Sequence, residues 1–205
     1  MADNVAPEFL RFIAAQRPEA SASKPHAEGQ LGMAIFLNAA DAQRLMPVAA
    51  RRAAGFFRPT QRTEIVWVDG ESELAVGLDG WKLQFGTGLF VVTLPVRCDQ
   101  TDATEVRVHF ACGEPERPAG LYAAAQRRPQ GPELIVSTWG DALVAFAWQC
   151  VLYLVSGLAN ATGKDERGNL LVPVDMMATP RGLEIVPMAR HRFNGSAGLN
   201  EVVKR

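Results

Sequence analysis

Residues 63–112 contain five short segments in which apolar and polar residues alternate, and this pattern limits the possible folds more than any other part of the sequence. Successive side chains point to opposite faces of a β-strand, so a hairpin is consistent only when its turn brings like faces together. All four connections between the segments satisfy this condition with the same apolar face. The sequence therefore predicts a five-stranded antiparallel β-meander with one apolar face and one polar face.

The four connections also predict a register for each pair of strands. They set these residues opposite each other: Trp67 with Leu74, Val76 with Leu83, Phe85 with Phe90, and Leu94 with Val108. The second connection, Asp79-Gly80, is the strongest hairpin signal because both residues tolerate a positive φ. The predicted register also places Arg97 opposite Glu105 as a cross-strand ion pair. The polar face then carries eight residues: Glu64, Lys82, Gln84, Thr93, Arg97, Glu105, Arg107 and His109.

The N-terminal region predicts an amphipathic helix followed by a linker. The apolar residues of segment 7–17 lie on one side of a helix, and Pro18 stops it. Residues 19–30 contain no large apolar side chain, which is typical of a flexible linker. A helix joined by such a linker can pack on another subunit rather than on its own chain.

A short strand and a second helix are predicted between this linker and the meander. Residues 31–37 are apolar enough for a buried strand, and Asn38 or Asp41 can cap a helix over 39–54 that Gly55 ends. Pro47 lies in the middle of that helix. We expect a turn there, followed by a new helix with Pro47 in its first turn, rather than one kinked helix.

The chain after the meander predicts a long connection, a sixth strand, an apolar helix and a final hairpin. Residues 113–132 are rich in Pro and Gly and form either a functional lid or a cover for a sheet edge. Residues 133–138 predict a strand. Residues 140–160 predict a helix that is apolar on nearly all sides, with Asp141 as its cap and Gly163 as its end. Residues 169–177 and 183–192 predict an edge hairpin in which Val174 faces Pro187.

The apolar helix has three alternative interpretations: a core helix, a subunit interface or a membrane span. Its length allows a span. However, it lacks basic flanks and aromatic belts and lies between two strand regions, so a helix packed on the apolar face of the meander is favoured. The predicted fold class is α+β. The predicted organisation is an N-terminal helix at 1–18, a linker at 19–30, a single α+β domain at 31–193 and a mobile tail at 194–205.

Composition excludes several classes of function. The chain has 205 residues and a formal net charge of −1, without the basic cluster that nucleic-acid binding requires. No cationic stretch followed by an apolar run marks a secretory signal, and three cysteines do not form a disulfide framework. Abundant Ala and Arg with few Lys are typical of GC-rich bacterial genomes. We therefore expect a cytoplasmic bacterial protein.

The sequence contains no motif for a metal, a cofactor or a nucleophile. CxxC and HxxxH are absent, and His109 and Cys112 point to opposite faces of their strand. Acid–base chemistry is the remaining enzymatic interpretation, with His109 as the base, Arg107 as a clamp for a small anionic ligand, and Glu105 on the same face. A separate set of cations precedes the meander and predicts a solvated helix face or, alternatively, an anionic-ligand site: Arg44, Arg51, Arg52, Arg58 and Arg62.

Two functions follow from these patterns. The favoured one is a non-catalytic binding or assembly module that acts as a homo-oligomer. It is suggested by the apolar helix, the four tryptophans and the separate N-terminal helix, which together exceed what one chain of this size needs to bury. The alternative is a metal-independent hydrolase or isomerase that uses the polar sheet face around His109.

Overall fold

The computed structural model of the protein describes residues 5–16, 34–114 and 128–189. In chain order, the elements of these residues are α1 (Pro7–Gln16), β1 (Ile35–Leu37), α2 (Ala39–Ala53), β2 (Glu64–Asp69), β3 (Ser72–Gly77), β4 (Lys82–Gly86), β5 (Leu89–Cys98), β6 (Thr101–Ala111), α3 (Glu133–Thr162), β7 (Val172–Thr179) and β8 (Gly182–Met188). The fold is α+β, as predicted. The predicted linker, the C-terminal tail and most of segment 113–132 lie outside the described residues.

Strands β2 to β6 form the larger sheet, but not as a simple meander. Strands β3 and β4 are both antiparallel to β5, and β6 occupies the whole of the other edge of β5. The chain therefore does not reverse at Asp79-Gly80, and the predicted hairpin there is wrong. Instead, β3 and β4 run in the same direction, one after the other, along β5.

The interruption between β3 and β4 has two physical causes. It falls opposite Leu94 and Pro95, and Pro95 has no backbone N–H to offer to a ladder. The intervening residues leave the sheet, and Asp79 is held by an ion pair to Arg51 of α2, with a nitrogen–oxygen distance of 2.7 Å. The indole N–H of Trp81 donates a hydrogen bond to the carbonyl of Gly77, at 2.9 Å, and so links the two ends of the segment that leaves the sheet.

Of the four predicted registers, two are confirmed, one is displaced, and the pair of Val76 with Leu83 is wrong, because Val76 lies opposite Val96 and Leu83 opposite Val92. Trp67 lies opposite Leu74 and Phe85 opposite Phe90, as predicted. Leu94, however, lies opposite Val106 instead of Val108, because β5 and β6 turn through residues 99–100 rather than around Thr101. A displacement of two residues leaves every side chain on its predicted face.

The predicted ion pair between Arg97 and Glu105 is also wrong, as a consequence of this displacement. Pro95 is the residue opposite Glu105. The guanidinium of Arg97 instead lies 3.2 Å from the carboxylate of Glu64 on β2, and Glu105 pairs with Lys82.

Helix α3 spans residues that the sequence divides into a strand and a helix. The strand predicted at 133–138 is wrong: the helix begins at Glu133, directly after Pro132, and Asp141 lies in its third turn rather than at its cap. Ile135 and Val136 are buried while their neighbours on both sides are exposed, which is the burial pattern of a helix rather than of a strand. The end of α3 at Gly163 is as predicted.

The apolar face of the larger sheet is covered by α3, as predicted. Phe146 of α3 lies edge-on against Trp67 of β2, with ring centroids 5.5 Å apart, and against Trp81. Further along the helix, Trp148 packs on Phe110 of β6, with centroids 5.7 Å apart. Trp139 also contacts Trp67, so all four tryptophans make aromatic contacts within the chain.

Helix α3 is the one helix in the described residues that is long and apolar enough to cross a membrane. Within its most apolar 18-residue window, 44% of the residues are buried in the protein. Core helices share this length and composition, so these properties are weak support for a membrane span.

Helix α1 packs on its own chain, contrary to the expectation that it packs on another subunit. Phe9 is fully buried, and its ring lies directly over Gly157 of α3. The guanidinium of Arg44 on α2 lies 5.9 Å from the ring centroid of Phe12, and Gln16 donates a hydrogen bond to the carbonyl of Phe36 in β1.

Helix α2 continues through Pro47 without a break, so the prediction of a turn there is wrong. Its start is as predicted: the side chain of Asn38 accepts a hydrogen bond from the amide of Asp41, at 2.9 Å. After the helix, Gly55 has a φ of 86°, and the amides of Gly55 and Phe56 donate to carbonyls of the last turn. This Schellman motif turns the chain back toward the last turn of α2.

The smaller sheet has the order β1-β8-β7. Its hairpin turns at residues 179–182, as predicted, and Met176 lies opposite Ile185. The predicted pair of Val174 with Pro187 is wrong, because Pro173 is opposite Pro187 and the register shifts beside Val174. The amide of Ala178 on β7 donates to the carbonyl of Gly113, at 2.8 Å, which joins the smaller sheet to the end of the larger one.

Candidate functional site

The sequence-predicted site lies on the polar face of β6. Arg107 is opposite Thr93 of β5, and His109 is opposite Val91 rather than Thr93, because of the two-residue displacement of β6. The backbone of Arg107 also exchanges two hydrogen bonds with Gln130, at 2.8 and 2.9 Å, so the outer edge of β6 is covered at this position.

Glu105 is bound to Lys82, and this ion pair crosses β5 because the two residues lie on the strands that flank it. Four residues along a strand correspond to about 13 Å between Cα atoms, a distance too long for Glu105 to contact the imidazole of His109 directly. The structure therefore places the three predicted residues on one face without joining Glu105 to His109. Their catalytic role stays a prediction.

The three cysteines lie in different environments. Burial raises the pKa of the Cys112 thiol to about 11, and it raises the pKa of Cys150, which is inside α3, further still. Cys98 is half-buried, 3.1 Å from the hydroxyl of Thr101, beside a cavity of about 60 Å³. In the described part of the chain, no three His, Cys, Asp or Glu residues lie close enough together to hold a metal ion.

A larger cavity, of about 300 Å³, lies between the start of α1, the end of α2 and the chain that follows α2. We call it the arginine groove. Its walls are formed mainly by six side chains: Glu8, Arg51, Arg52, Phe56, Phe57 and Arg58. The last turn of α2 supplies two of the arginines, and the reversal of the chain at Gly55 brings the third arginine and both phenylalanines to the same opening.

The three arginines of the groove differ in their partners. Arg51 is held by Asp79 and by the carbonyl of Pro47, and its Nε–H is buried without a hydrogen-bond acceptor among the described residues. Arg52 is half-buried and Arg58 is exposed, and neither makes an ion pair with a carboxylate of the described residues. Cations in the last turn of a helix interact favourably with the helix dipole, and this accounts for part of the positive charge that Arg51 and Arg52 bring to the end of α2.

The acidic side chain of the groove is already engaged. Glu8 accepts a hydrogen bond from Arg11 of the next turn of α1, at 3.4 Å. Arg52 and Arg58 thus border a cavity in which no described carboxylate neutralises them, so the groove carries a local positive charge although the chain as a whole has a net charge of −1.

A second cavity, of about 170 Å³, adjoins the groove, and Ala6 and Arg52 line both. We call it the apolar cavity, because its walls are formed mainly by Val5, Phe9, Tyr153, Gly157 and Leu170. Ser156 and Asn160 of α3 add two polar side chains to it. Tyr153 is in edge-to-face contact with Phe57 of the groove, with ring centroids 6.4 Å apart.

Comparison with known proteins adds no relative: no family model, curated protein or solved structure matches the chain.

The sequence gives part of the signal for the groove. The three arginines of the groove belong to the set of five cations before the meander, for which an anionic-ligand site is the alternative prediction. The structure divides that set. Arg44 pairs with Asp41, and Arg62 lies over the ring of Phe56, 5.4 Å from its centroid. The other three arginines line the groove.

Proposed function

We propose that the protein is a non-catalytic binding module that holds a small anion in the arginine groove and acts as a homo-oligomer. The observation that carries this proposal is the pair Arg52 and Arg58, which line the groove without a carboxylate partner among the described residues. Arg51, the third arginine of the groove, is by contrast paired with Asp79.

The chemistry of the groove favours a carboxylate or phosphate ligand. Guanidinium groups donate parallel hydrogen bonds to both of these anions, and Arg stays protonated at all relevant pH values. The buried Nε–H of Arg51 adds a donor that has no hydrogen-bond partner in the described part of the chain. The cavity volume of about 300 Å³ is at the lower end of the roughly 300–1,000 Å³ of small-molecule sites, so a small ligand fits best.

Calorimetric titration with inorganic phosphate at low ionic strength tests the anion site. Hydrogen bonds to charged groups contribute about 1.5–3 kcal/mol, so Arg52→Gln and Arg58→Gln should each weaken phosphate binding about tenfold or more. Arg44→Gln is the matched control: it removes a cation from the same helix outside the groove and should leave the affinity within about twofold of wild type. The absence of saturable phosphate binding to the wild-type protein would refute the anion site.

The exposed face of β2 supports the self-association part of the proposal. Val66 and Val68 are 53% and 64% exposed, on an edge strand whose outer side pairs with no other strand in the described residues. The features that suggest an oligomer in the sequence do not support it further, because the four tryptophans and α1 contact α3 or the larger sheet of the same chain.

Light scattering after size exclusion tests self-association. We expect the wild-type protein to be a dimer or a larger assembly at micromolar concentration and Val68→Lys to shift it to monomer, because a charge on an exposed edge opposes strand pairing. Leu10→Lys is a control at another exposed apolar residue, on α1. A monodisperse wild-type monomer would contradict this part of the proposal without affecting the anion site.

A further inference from the structure

We infer that the ligand is an amphipathic anion, with its charged group in the arginine groove and an aromatic ring or short alkyl chain in the apolar cavity. This inference rests on the anion site proposed above and specifies its ligand.

The first argument is that the two cavities meet at Arg52. Arg52 and Ala6 line both, so a ligand whose charged group contacts Arg52 in the groove contacts a residue that also lines the apolar cavity. The edge-to-face contact between Phe57 and Tyr153 joins the two walls from the other side. It also gives a role to Phe57, a large aromatic residue that is 56% exposed.

The second argument is the size and character of the apolar cavity. Its volume of about 170 Å³ is close to the roughly 150 Å³ of an engineered cavity that binds benzene, so the space is large enough for a six-membered ring. Phe9 and Tyr153 supply aromatic walls, and Val5 and Leu170 supply aliphatic ones. A single phosphate or carboxylate would leave this space unused, whereas a six-carbon ring or chain attached to it would fill much of it.

The two arguments together also predict which end of the ligand enters which cavity. Of the charged side chains that line the two cavities, Glu8, Arg51 and Arg58 line only the groove, and Arg52 lines both. Burying an unpaired anion among Val5, Phe9 and Leu170 would carry a large desolvation penalty. The charged group therefore stays in the groove, and the apolar part enters the neighbouring cavity.

The test compares inorganic phosphate with phenyl phosphate by calorimetric titration of the wild-type protein. We expect phenyl phosphate to bind at least tenfold more tightly, since only this probe places a ring in the apolar cavity. Phosphate binding without a gain from the ring would overturn this inference and leave the anion site standing. If neither probe binds, the anion site and this inference both fail.

Two variants locate the ring. Ser156→Leu introduces a large side chain into the apolar cavity and should remove the advantage of phenyl phosphate while leaving the affinity for inorganic phosphate unchanged. Gln149→Leu, at an exposed position of the same helix, is the matched control and should preserve the advantage. If the advantage persists in Ser156→Leu, the ring binds elsewhere and the inference is wrong. The comparison of the two probes on wild type remains decisive even if that variant does not fold.

Discussion

Gly157 of α3 provides a sharp test of how the N-terminal helix is packed. A Cβ atom at this position would overlap the ring of Phe9, which is fully buried on α3. The substitution Gly157→Ala therefore has two opposing effects on the free energy of unfolding: Ala is the better helix former, but its methyl group forces α1 and α3 apart.

The matched control lies in the same helix. A Cβ atom on Gly140 would meet its nearest neighbours, Val136 and Pro129, at 3.6 and 3.9 Å, which are ordinary contact distances. Gly140→Ala should therefore show the propensity effect alone, a gain of about 0.5–1 kcal/mol in the free energy of unfolding. Gly157→Ala should combine the same gain with an overpacking penalty of about 1–3 kcal/mol. The difference between the two variants isolates the steric penalty.

Urea unfolding of both variants, followed by circular dichroism, measures this difference. We expect Gly157→Ala to be less stable than Gly140→Ala by about 1–3 kcal/mol. In a Phe9→Ala background the overlap disappears, so Gly157→Ala should become stabilising by about 0.5–1 kcal/mol, like the control. Equal effects of the two glycine substitutions in the wild-type background would refute the packing of Phe9 on Gly157 and restore the possibility that α1 packs on another subunit.

Two further predictions concern α2 and the cysteines. Pro47→Ala should raise the free energy of unfolding by about 1–3 kcal/mol, because it restores a backbone N–H in the middle of α2; an unchanged urea midpoint would contradict the continuous helix. Cys112 and Cys150 should label slowly with iodoacetamide at pH 8, as measured by peptide mass spectrometry, because their raised pKa values keep the thiols protonated. The labelling rate of Cys112 should increase about tenfold per pH unit up to its pKa of about 11. Since burial raises its pKa above the ordinary value of 9.0, Cys112 favours the folded state below pH 9, and this stabilisation is lost as the pH rises from 9 through about 11. Rapid labelling of Cys112 or Cys150 in the folded protein at pH 8 would contradict the buried environments of these two thiols.

The two faces of the larger sheet were predictable because alternation is a local property. From Leu89 to Val96, the residues of β5 lie on the faces that their positions in the sequence predict, and so do their partners on β6, even though the register is displaced by two residues; beyond Val96 the register shifts again. An even displacement preserves the face of every side chain, so the alternation pattern cannot detect it. The turn geometry decides between the two registers, and here the turn lies at 99–100.

Where local signals failed, a contact from a distant part of the chain had overridden them. Asp79-Gly80 is a strong hairpin signal, but the ion pair from Arg51 and the ladder to β5 hold the chain in one direction. Pro95, in the middle of a predicted central strand, was the available sign that pairing is interrupted there. The β-branched residues of 133–138 favour a strand in isolation, yet they form the first turns of α3, with Ile135 in the core.

The sequence by itself determined the class of fold, the faces of the sheet and the helix that covers it. These depend on periodicity and on local capping, which short segments carry within themselves. Only the tertiary structure decided the order of strands along β5, the docking of α1 on α3, and the assembly of Arg51, Arg52 and Arg58 around one groove. These features depend on contacts between residues far apart in the chain, and a cavity is defined by how such segments meet rather than by the composition of any one of them.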